Sequence, residues 1–233
     1  MLREGANKGI NQMEKLPTPQ DPDPFQVTST ELIYDSLWIR LREDHFTHRN
    51  GAMGKYTVCG FRHTACGVLA LDEQDNAVLV GQWRHPLKQY SWEIVEGGGK
   101  DDETPFETIK RELAEEAGLQ ADYWEPLAYS CLSNSSTDEE AFLFVAKGLS
   151  LCPPGYHQDA EEELAALREP FHNCVRRVLS GEISDGLSVI AILAEHAKRS
   201  GVQQFMDPEI QERFFQAPAK YPSKGREQWN ELL

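Results

Sequence analysis

The chain has 233 residues, a formal net charge of −15, and ordinary shares of hydrophobic (40%) and aromatic (9%) residues. That length accommodates one large domain, or one domain with a small addition. The acidic balance excludes a basic stripe for nucleic acid and an affinity for anionic membrane, and no apolar run is long enough to span a bilayer. Five cysteines, at positions 59, 66, 131, 152 and 174, form no C-x-x-C pair. With no signal peptide, they read as reduced thiols of a cytoplasmic protein.

Residues 1–25, "MLREGANKGINQMEKLPTPQDPDP" and the following Phe25, are polar and proline-rich, and are predicted to be a disordered lead-in. Residues 26–61 read as a small antiparallel sheet. Its strands are Gln26 to Tyr34, Leu37 to Phe46 and Lys55 to Phe61, and Asn50-Gly51 supplies a hairpin-turn signal. Residues 62–200 form the main body. There "TACGVLAL" and "AVLVGQWR", joined by "DEQDN", are predicted to be a hairpin in a buried sheet, and "SWEIV" a strand leading into glycines. "EPLAYSCL" and "AFLFVAKGL" read as two more strands, separated by the polar loop "SNSSTDE". Helices are predicted over Glu169 to Ser180 and Asp185 to Ser200, the second with Leu187, Ile190, Ala191 and Ala194 at helical spacing. Residues 201–233 form a tail of mixed polar and aromatic character that no pattern places.

Between these blocks lies "GGGKDDETPFETIKRELAEEAGL", residues 97–119, which is crowded with acids. Thr104-Pro105-Phe106-Glu107 fits a capping box with proline at the first helical position, and Gly118-Leu119 fits a left-handed C-terminal cap. Phe106, Ile109, Leu113 and Ala117 then form one apolar stripe, with Glu112 and Glu116 beside it and Glu115 just beyond. An acidic helix face is commonly just solvated. Here Glu116 adjoins the buried stripe, and the acids sit in the C-terminal half, where the macrodipole disfavours anions. Like charges one turn apart cost roughly 0.2–0.5 kcal/mol per pair. Arg111 can neutralise one acid, and a hard divalent cation with oxygen ligands can neutralise the others. Such cations beside a phosphate chain serve phosphoryl hydrolysis.

The segment resembles the signature of the Nudix hydrolases, G-x5-E-x7-R-E-U-x-E-E-x-G-U with U aliphatic. Gly97, Glu103, Arg111, Glu112, Leu113, Glu115, Glu116, Gly118 and Leu119 fill every fixed position. The resemblance implies an α/β fold, an α/β/α sandwich around a mixed sheet, here preceded by the N-terminal antiparallel strands. It also implies Mg²⁺- or Mn²⁺-dependent hydrolysis of a nucleoside diphosphate linked to another group. Glu112 and Glu116 would be the principal metal ligands, with Glu115 assisting, and Glu96 would add its carbonyl. Arg111 would orient the acids and Glu103 would secure the loop. Gly97 to Gly99, Gly98 among them, would let the ligand approach the backbone closely.

"VGQWRHPLKQYSWEIVEGGG" and "GEISDGLSVIAIL" resemble the flanks of the box in ADP-ribose and nucleotide-sugar pyrophosphatases. By that resemblance Arg84 would contact the diphosphate, for which its planar fork is suited, and Glu93 would hold a ribose. Homodimerisation through the N-terminal strands would bring Trp38 and Tyr56 to a base, although ordinary packing explains both aromatics equally well. "SNSSTDEEAFLF" resembles the family's S-P-G-x-T-x-E loop, which puts Glu139 in the place of the catalytic base, with Glu140 and Asp138 as alternatives. Asn134 and Ser135 replace the proline and glycine of that loop, which admits GDP-mannose or another nucleotide sugar as substrate. The competing readings are a nucleoside triphosphate pyrophosphohydrolase and a non-catalytic Nudix ligand sensor. His85, His172 and His196 are isolated and receive no catalytic role.

Overall fold

A computed structural model of the protein describes residues 16–100, 102–153 and 164–216. The predicted lead-in up to position 15 and the tail beyond position 216 lie outside the described residues. The N-terminal sheet consists of β1 (Phe25–Asp35), β2 (Ile39–His48) and β3 (Met53–Phe61), antiparallel in that order. The turn between β2 and β3 forms at Asn50-Gly51. Gly51 takes φ +85°, a left-handed conformation that suits glycine, and Asn50 Oδ1 accepts from Ala52 N–H at 3.0 Å.

The main body contains β4 (Ala65–Ala70), β5 (Asn76–Arg84), β6 (Gln89–Glu93), β7 (Val95–Gly98), α1 (Pro105–Ala117), β8 (Leu119–Cys131), β9 (Glu140–Leu151), β10 (Ala165–Pro170), α2 (Phe171–Ser180), α3 (Gly186–Arg199) and α4 (Pro208–Arg213). A mixed sheet runs β7-β4-β9-β8, in which β4 and β9 are parallel. An antiparallel sheet runs β10-β5-β6. Pro126 lies in β8, an edge strand, beside a register shift between Pro126 and Ala128. A proline is tolerated there because the missing N–H need not serve a ladder.

Three expectations need correction. The predicted hairpin of residues 64–71 and 77–84 is closed only at its turn, by the Leu71–Ala77 bridge and by Asp72 Oδ1, which accepts from Gln74 N–H and Asn76 N–H. Beyond that turn the two strands diverge into separate sheets, β4 pairing with β7 and β9, β5 with β6 and β10. Alternation within each short apolar run looks the same whichever strand is the partner, so local pattern does not reveal the split. "SWEIV" is likewise not one strand. It breaks at Ile94, whose N–H leaves the ladders and donates to Ser188 Oγ of α3 at 2.9 Å. Finally, the helix expected from Glu169 starts at Phe171, because Glu169 and Pro170 still pair with β5.

Each strand side contributes to a different apolar layer. Leu69, Leu79, Ile94, Leu143 and Val145 pack with Phe171, Cys174, Leu187 and Ile192 of α2 and α3. Val68, Val78, Val80, Phe142 and Phe144 pack with Ile109 and Leu113 of α1 and with Phe214. The two sheets thus form one middle layer between helices, the α/β/α arrangement. The segment after α3, unplaced by sequence pattern, completes one face of it. Phe214 is fully buried, its ring 4.9 Å from that of Phe142 and 5.0 Å from that of Phe144. Its carbonyl accepts Phe106 N–H at 3.1 Å, so it also holds one of the first-turn amides that a helix leaves unsatisfied. Phe214→Ala should cost about 3–5 kcal/mol in urea unfolding. The same change at half-exposed Phe215 should cost clearly less.

Candidate active site

The acid-rich helix is built as its sequence dictates. Thr104 Oγ1 accepts Glu107 N–H at 3.1 Å, and Glu107 Oε2 accepts Thr104 N–H at 2.9 Å, closing the capping box. Gly118 takes φ +64° and ends the helix. The apolar stripe fixes the helix's rotation, because Ile109 and Leu113 are both fully buried. That rotation puts Glu112 and Glu116 at the boundary of the sheet, and Glu116 is 6% exposed.

Arg111 collects the crowded acids. Its Nε donates to Glu103 Oε1 (2.9 Å) and its Nη2 to Glu103 Oε2 (2.9 Å), while Nη1 donates to Glu112 Oε1 and Glu115 Oε2, both at 2.7 Å. Nη2 also reaches the Gly98 carbonyl at 3.1 Å. One guanidinium thus binds three carboxylates and the glycine loop. Chiefly through the Arg111 hydrogen bonds, the Glu103 carboxyl is pulled down to a pKa of about 2. Glu116 Oε2 instead accepts Glu96 N–H at 3.3 Å.

Gly97 lies against the Glu112 carboxylate. A Cβ at position 97 would fall 2.2 Å from Glu112 Cδ and 2.3 Å from its Oε1. The glycine requirement here is therefore one of space. Glycine is needed because the box carboxylate occupies the volume that any side chain would take.

A pocket of about 610 Å³ opens beside this helix. Of the predicted site residues, Trp38, Arg84, Glu93, Glu96, Gly98, Glu116 and Glu139 line it. Glu112, Glu115 and Arg111 adjoin it through Gly97 and Gly98 but do not line it. Tyr56 stands apart from it, its hydroxyl bonded to the Ser135 carbonyl and its ring against Phe25. Trp38 is 72% exposed and packs edge-on against His63.

The break at Ile94 shapes the pocket floor, because it sends Glu93 and Glu96 into different sheets that meet here. Arg84 Nε donates to both Glu93 oxygens (2.9 and 3.1 Å), and Nη2 binds Glu93 again and Glu96 Oε1 at 2.7 Å. The predicted phosphate-binding arginine is thus held by two carboxylates. Burial first, then the charges of Asp185 and Glu93, raise the Glu96 carboxyl well above the usual carboxylate range.

Three adjacent acids, two at the end of the β8–β9 loop and one at the start of β9, face three ways. Asp138 Oδ1 accepts Phe61 N–H at 3.2 Å, towards the N-terminal sheet. Glu140 pairs with Arg213 at 2.8 Å and accepts from Tyr129 at 2.5 Å. Glu139 lines the pocket, and burial, with the Asp138 charge second, raises its carboxyl pKa. The loop is anchored to β3 by Cys59 N–H, which donates to the Ser136 carbonyl at 2.9 Å.

The pocket also contains residues that sequence reasoning did not single out. His63 Nδ1 is 2.7 Å from the Gly99 carbonyl. Asp185 caps α3, accepting Ser188 N–H at 2.7 Å, and reaches the Glu93–Glu96 pair. Its position just before an apolar helix signals a cap, but nothing local signals that the cap points into a site. Among the described residues, two trios bring candidate ligand atoms within 4.8 Å of one another: Glu93, Glu96 and Asp185, and Glu31, Glu43 and His45. The box acids are not such a trio, because Arg111 draws Glu112 and Glu115 onto its own fork.

The comparisons agree with this architecture. A model of the NUDIX domain matches residues 61–174. An ADP-ribose pyrophosphatase of Mycobacterium tuberculosis is 30% identical over 186 residues, covering 77% of this chain and 87% of its own. A methanol dehydrogenase activator of Bacillus methanolicus is 30% identical over 164 residues, 70% of this chain and 88% of its own. Among solved structures, an ADP compounds hydrolase superposes with a TM-score of 0.64 at 20% identity, covering 77% of this chain and 97% of that one, a likeness of fold. With the signature intact and the fold matched, the chain belongs to the Nudix family, as a hydrolase of pyrophosphate bonds.

Proposed function

We propose that the protein is a divalent-cation-dependent diphosphatase that splits ADP-ribose, or a related nucleotide sugar, into a nucleoside monophosphate and a sugar phosphate. One observation carries the reading: a complete set of box carboxylates, Glu112 among them packed on the bare backbone of Gly97, stands beside a pocket large enough for a nucleotide. The similarity to an ADP-ribose pyrophosphatase supports the substrate class.

The residues fit a hard cation. Glu112, Glu115 and Glu116 offer only carboxylate oxygens, and Glu96, whose N–H bonds Glu116, would add its carbonyl, a donor set suited to Mg²⁺ or Mn²⁺. Such an ion, when bound, neutralises the diphosphate and acidifies a water. The chain's residues supply the rest. Arg111 keeps the acids together at the loop, and Glu139 takes the proton of the attacking water. The raised pKa of Glu139 suits that role, since a base titrating nearer the working pH transfers protons best. Arg84 turns from Glu93 and Glu96 towards the phosphates, Glu93 then being available to a ribose hydroxyl. Trp38, exposed at the pocket rim, offers its face to the base.

The same reading includes a homodimer in the cytoplasm. Val27, Leu32, Ile33 and Tyr34 leave β1 with exposed apolar side chains, a surface that pairing of N-terminal sheets would cover and that would bring Tyr56 of a second copy towards the site. The net charge does not oppose an anionic substrate, because screening confines distant surface charge to about 8 Å at physiological salt.

With Mg²⁺, ADP-ribose or another nucleotide sugar should be hydrolysed in a panel with ADP-glucose, GDP-mannose and dATP, and EDTA should stop it. Preference for dATP, or tight ADP-ribose binding without turnover, would overturn the proposal. Glu116→Gln should lower kcat by at least about 100-fold with an unchanged melting temperature. Gly97→Ala should keep the fold but displace Glu112. A misplacement of about 1 Å in a catalytic group costs on the order of 100-fold in rate, so kcat should fall by a similar factor.

A further inference from the structure

The cluster of Glu93, Glu96 and Asp185 is not explained by the box. It draws on three elements: Glu93 ends β6, Glu96 lies in β7, and Asp185 caps α3. One ligand atom from each lies within 4.8 Å of the others. Glu93 is 1% exposed, and all three line the pocket.

Their charge is not balanced. Among the described residues, Arg84 is the cation ion-paired to this trio, through Glu93 and Glu96. With all three acids ionised, the trio and Arg84 would carry a formal charge of −2, a crowding that raises the Glu96 carboxyl. The N-terminus of α3 offsets part of the Asp185 charge, at most about half an elementary charge. Burying uncompensated charge costs several kcal/mol per ion. A specific atom marks the shortfall: Glu96 Oε2 is enclosed by protein, and among the described residues no N–H or hydroxyl donates to it, the Asp185 carboxyl being the group that lies against Glu96. Glu96 Oε1 is already bound to Arg84, so Oε2 is the oxygen left for another partner.

We propose that Glu93, Glu96 and Asp185 bind a hard divalent cation of their own, separate from the ions held by Glu112, Glu115 and Glu116. The donors are all carboxylate oxygens, which suit Mg²⁺ and Mn²⁺, and the pocket side leaves room for the waters that such ions retain. A carboxylate has lone pairs enough to hold Arg84 and a metal together. Glu96 joins the two places without sharing an atom between them. Its side chain serves this site, while its N–H bonds Glu116 on the box side. The ion therefore sits on the wall built by the start of α3, facing the same pocket.

The test counts bound Mn²⁺ in the full-length protein by electron paramagnetic resonance, and needs no turnover. Glu112→Gln/Glu116→Gln weakens the box and should leave about one Mn²⁺ per chain. Adding Asp185→Asn should remove that ion or weaken it at least tenfold. Asparagine caps a helix about as well as aspartate, so the variant should fold, as an unchanged melting temperature would verify. Glu96→Gln, which keeps the backbone carbonyl and N–H, should give the same loss. If the box variant binds no Mn²⁺, or its ion is indifferent to positions 185 and 96, the proposal is wrong. Either result leaves the hydrolysis panel to judge the diphosphatase reading separately.

Discussion

The guanidinium of Arg111 is what makes the acidic helix tolerable. Glu112, Glu115 and Glu116 crowd the C-terminal half of α1, where like charges repel and the helix dipole gives no help, and Glu103 joins them as a fourth carboxylate from the loop before the helix. Arg111 binds three of them and the Gly98 carbonyl with bonds of 2.7–3.1 Å. A lysine carries the same charge, but its three donors leave from one nitrogen and lack the span by which Nε, Nη1 and Nη2 reach Glu103, Glu112, Glu115 and the Gly98 carbonyl together. The planar fork therefore sets the shape of the acidic edge as well as its charge. It ties that edge to the glycine loop, where Gly97 leaves Glu112 the space it occupies.

The second constraint is the division of the middle layer into two sheets. If residues 91–95 continued as one strand, Glu93 and Glu96 would belong to one ladder. Instead the chain leaves the β5 ladder at Glu93 and joins β4 from Val95. The Ile94 N–H stranded between them is satisfied by buried Ser188. Leaving it unpaired would cost about 1–3 kcal/mol. The same helix turn presents Asp185, so one short stretch of α3 both supports the break and adds a carboxylate to the pocket.

The far end of the chain performs a comparable service on the other face. Phe214 fills the layer between β9 and α1, and its carbonyl holds the start of the acidic helix. Arg213 beside it pairs with Glu140. That pairing turns Glu140 away from the pocket, where the neighbouring Glu139 faces inward. A segment distant from the box in sequence thus touches both the helix that carries the acids and the strand that follows the loop.

Much of this was legible without coordinates. The ends of α1, its buried stripe, the position of its acids and the Asn50-Gly51 turn follow from side-chain chemistry within a few residues, where capping, periodicity and backbone freedom act locally. The box likewise declares its family, because its spacing is rigid within one loop and one helix. Tertiary structure alone decided which strands pair, since apolar alternation shows that a strand is buried but not against what. It also decided that Phe214 belongs to the core, that Glu139 faces the pocket while Asp138 and Glu140 do not, and that Glu93, Glu96 and Asp185 meet. Those outcomes depend on contacts between segments up to about a hundred residues apart, such as Ile94 with Ser188. Long-range packing sets them, and no local pattern encodes it.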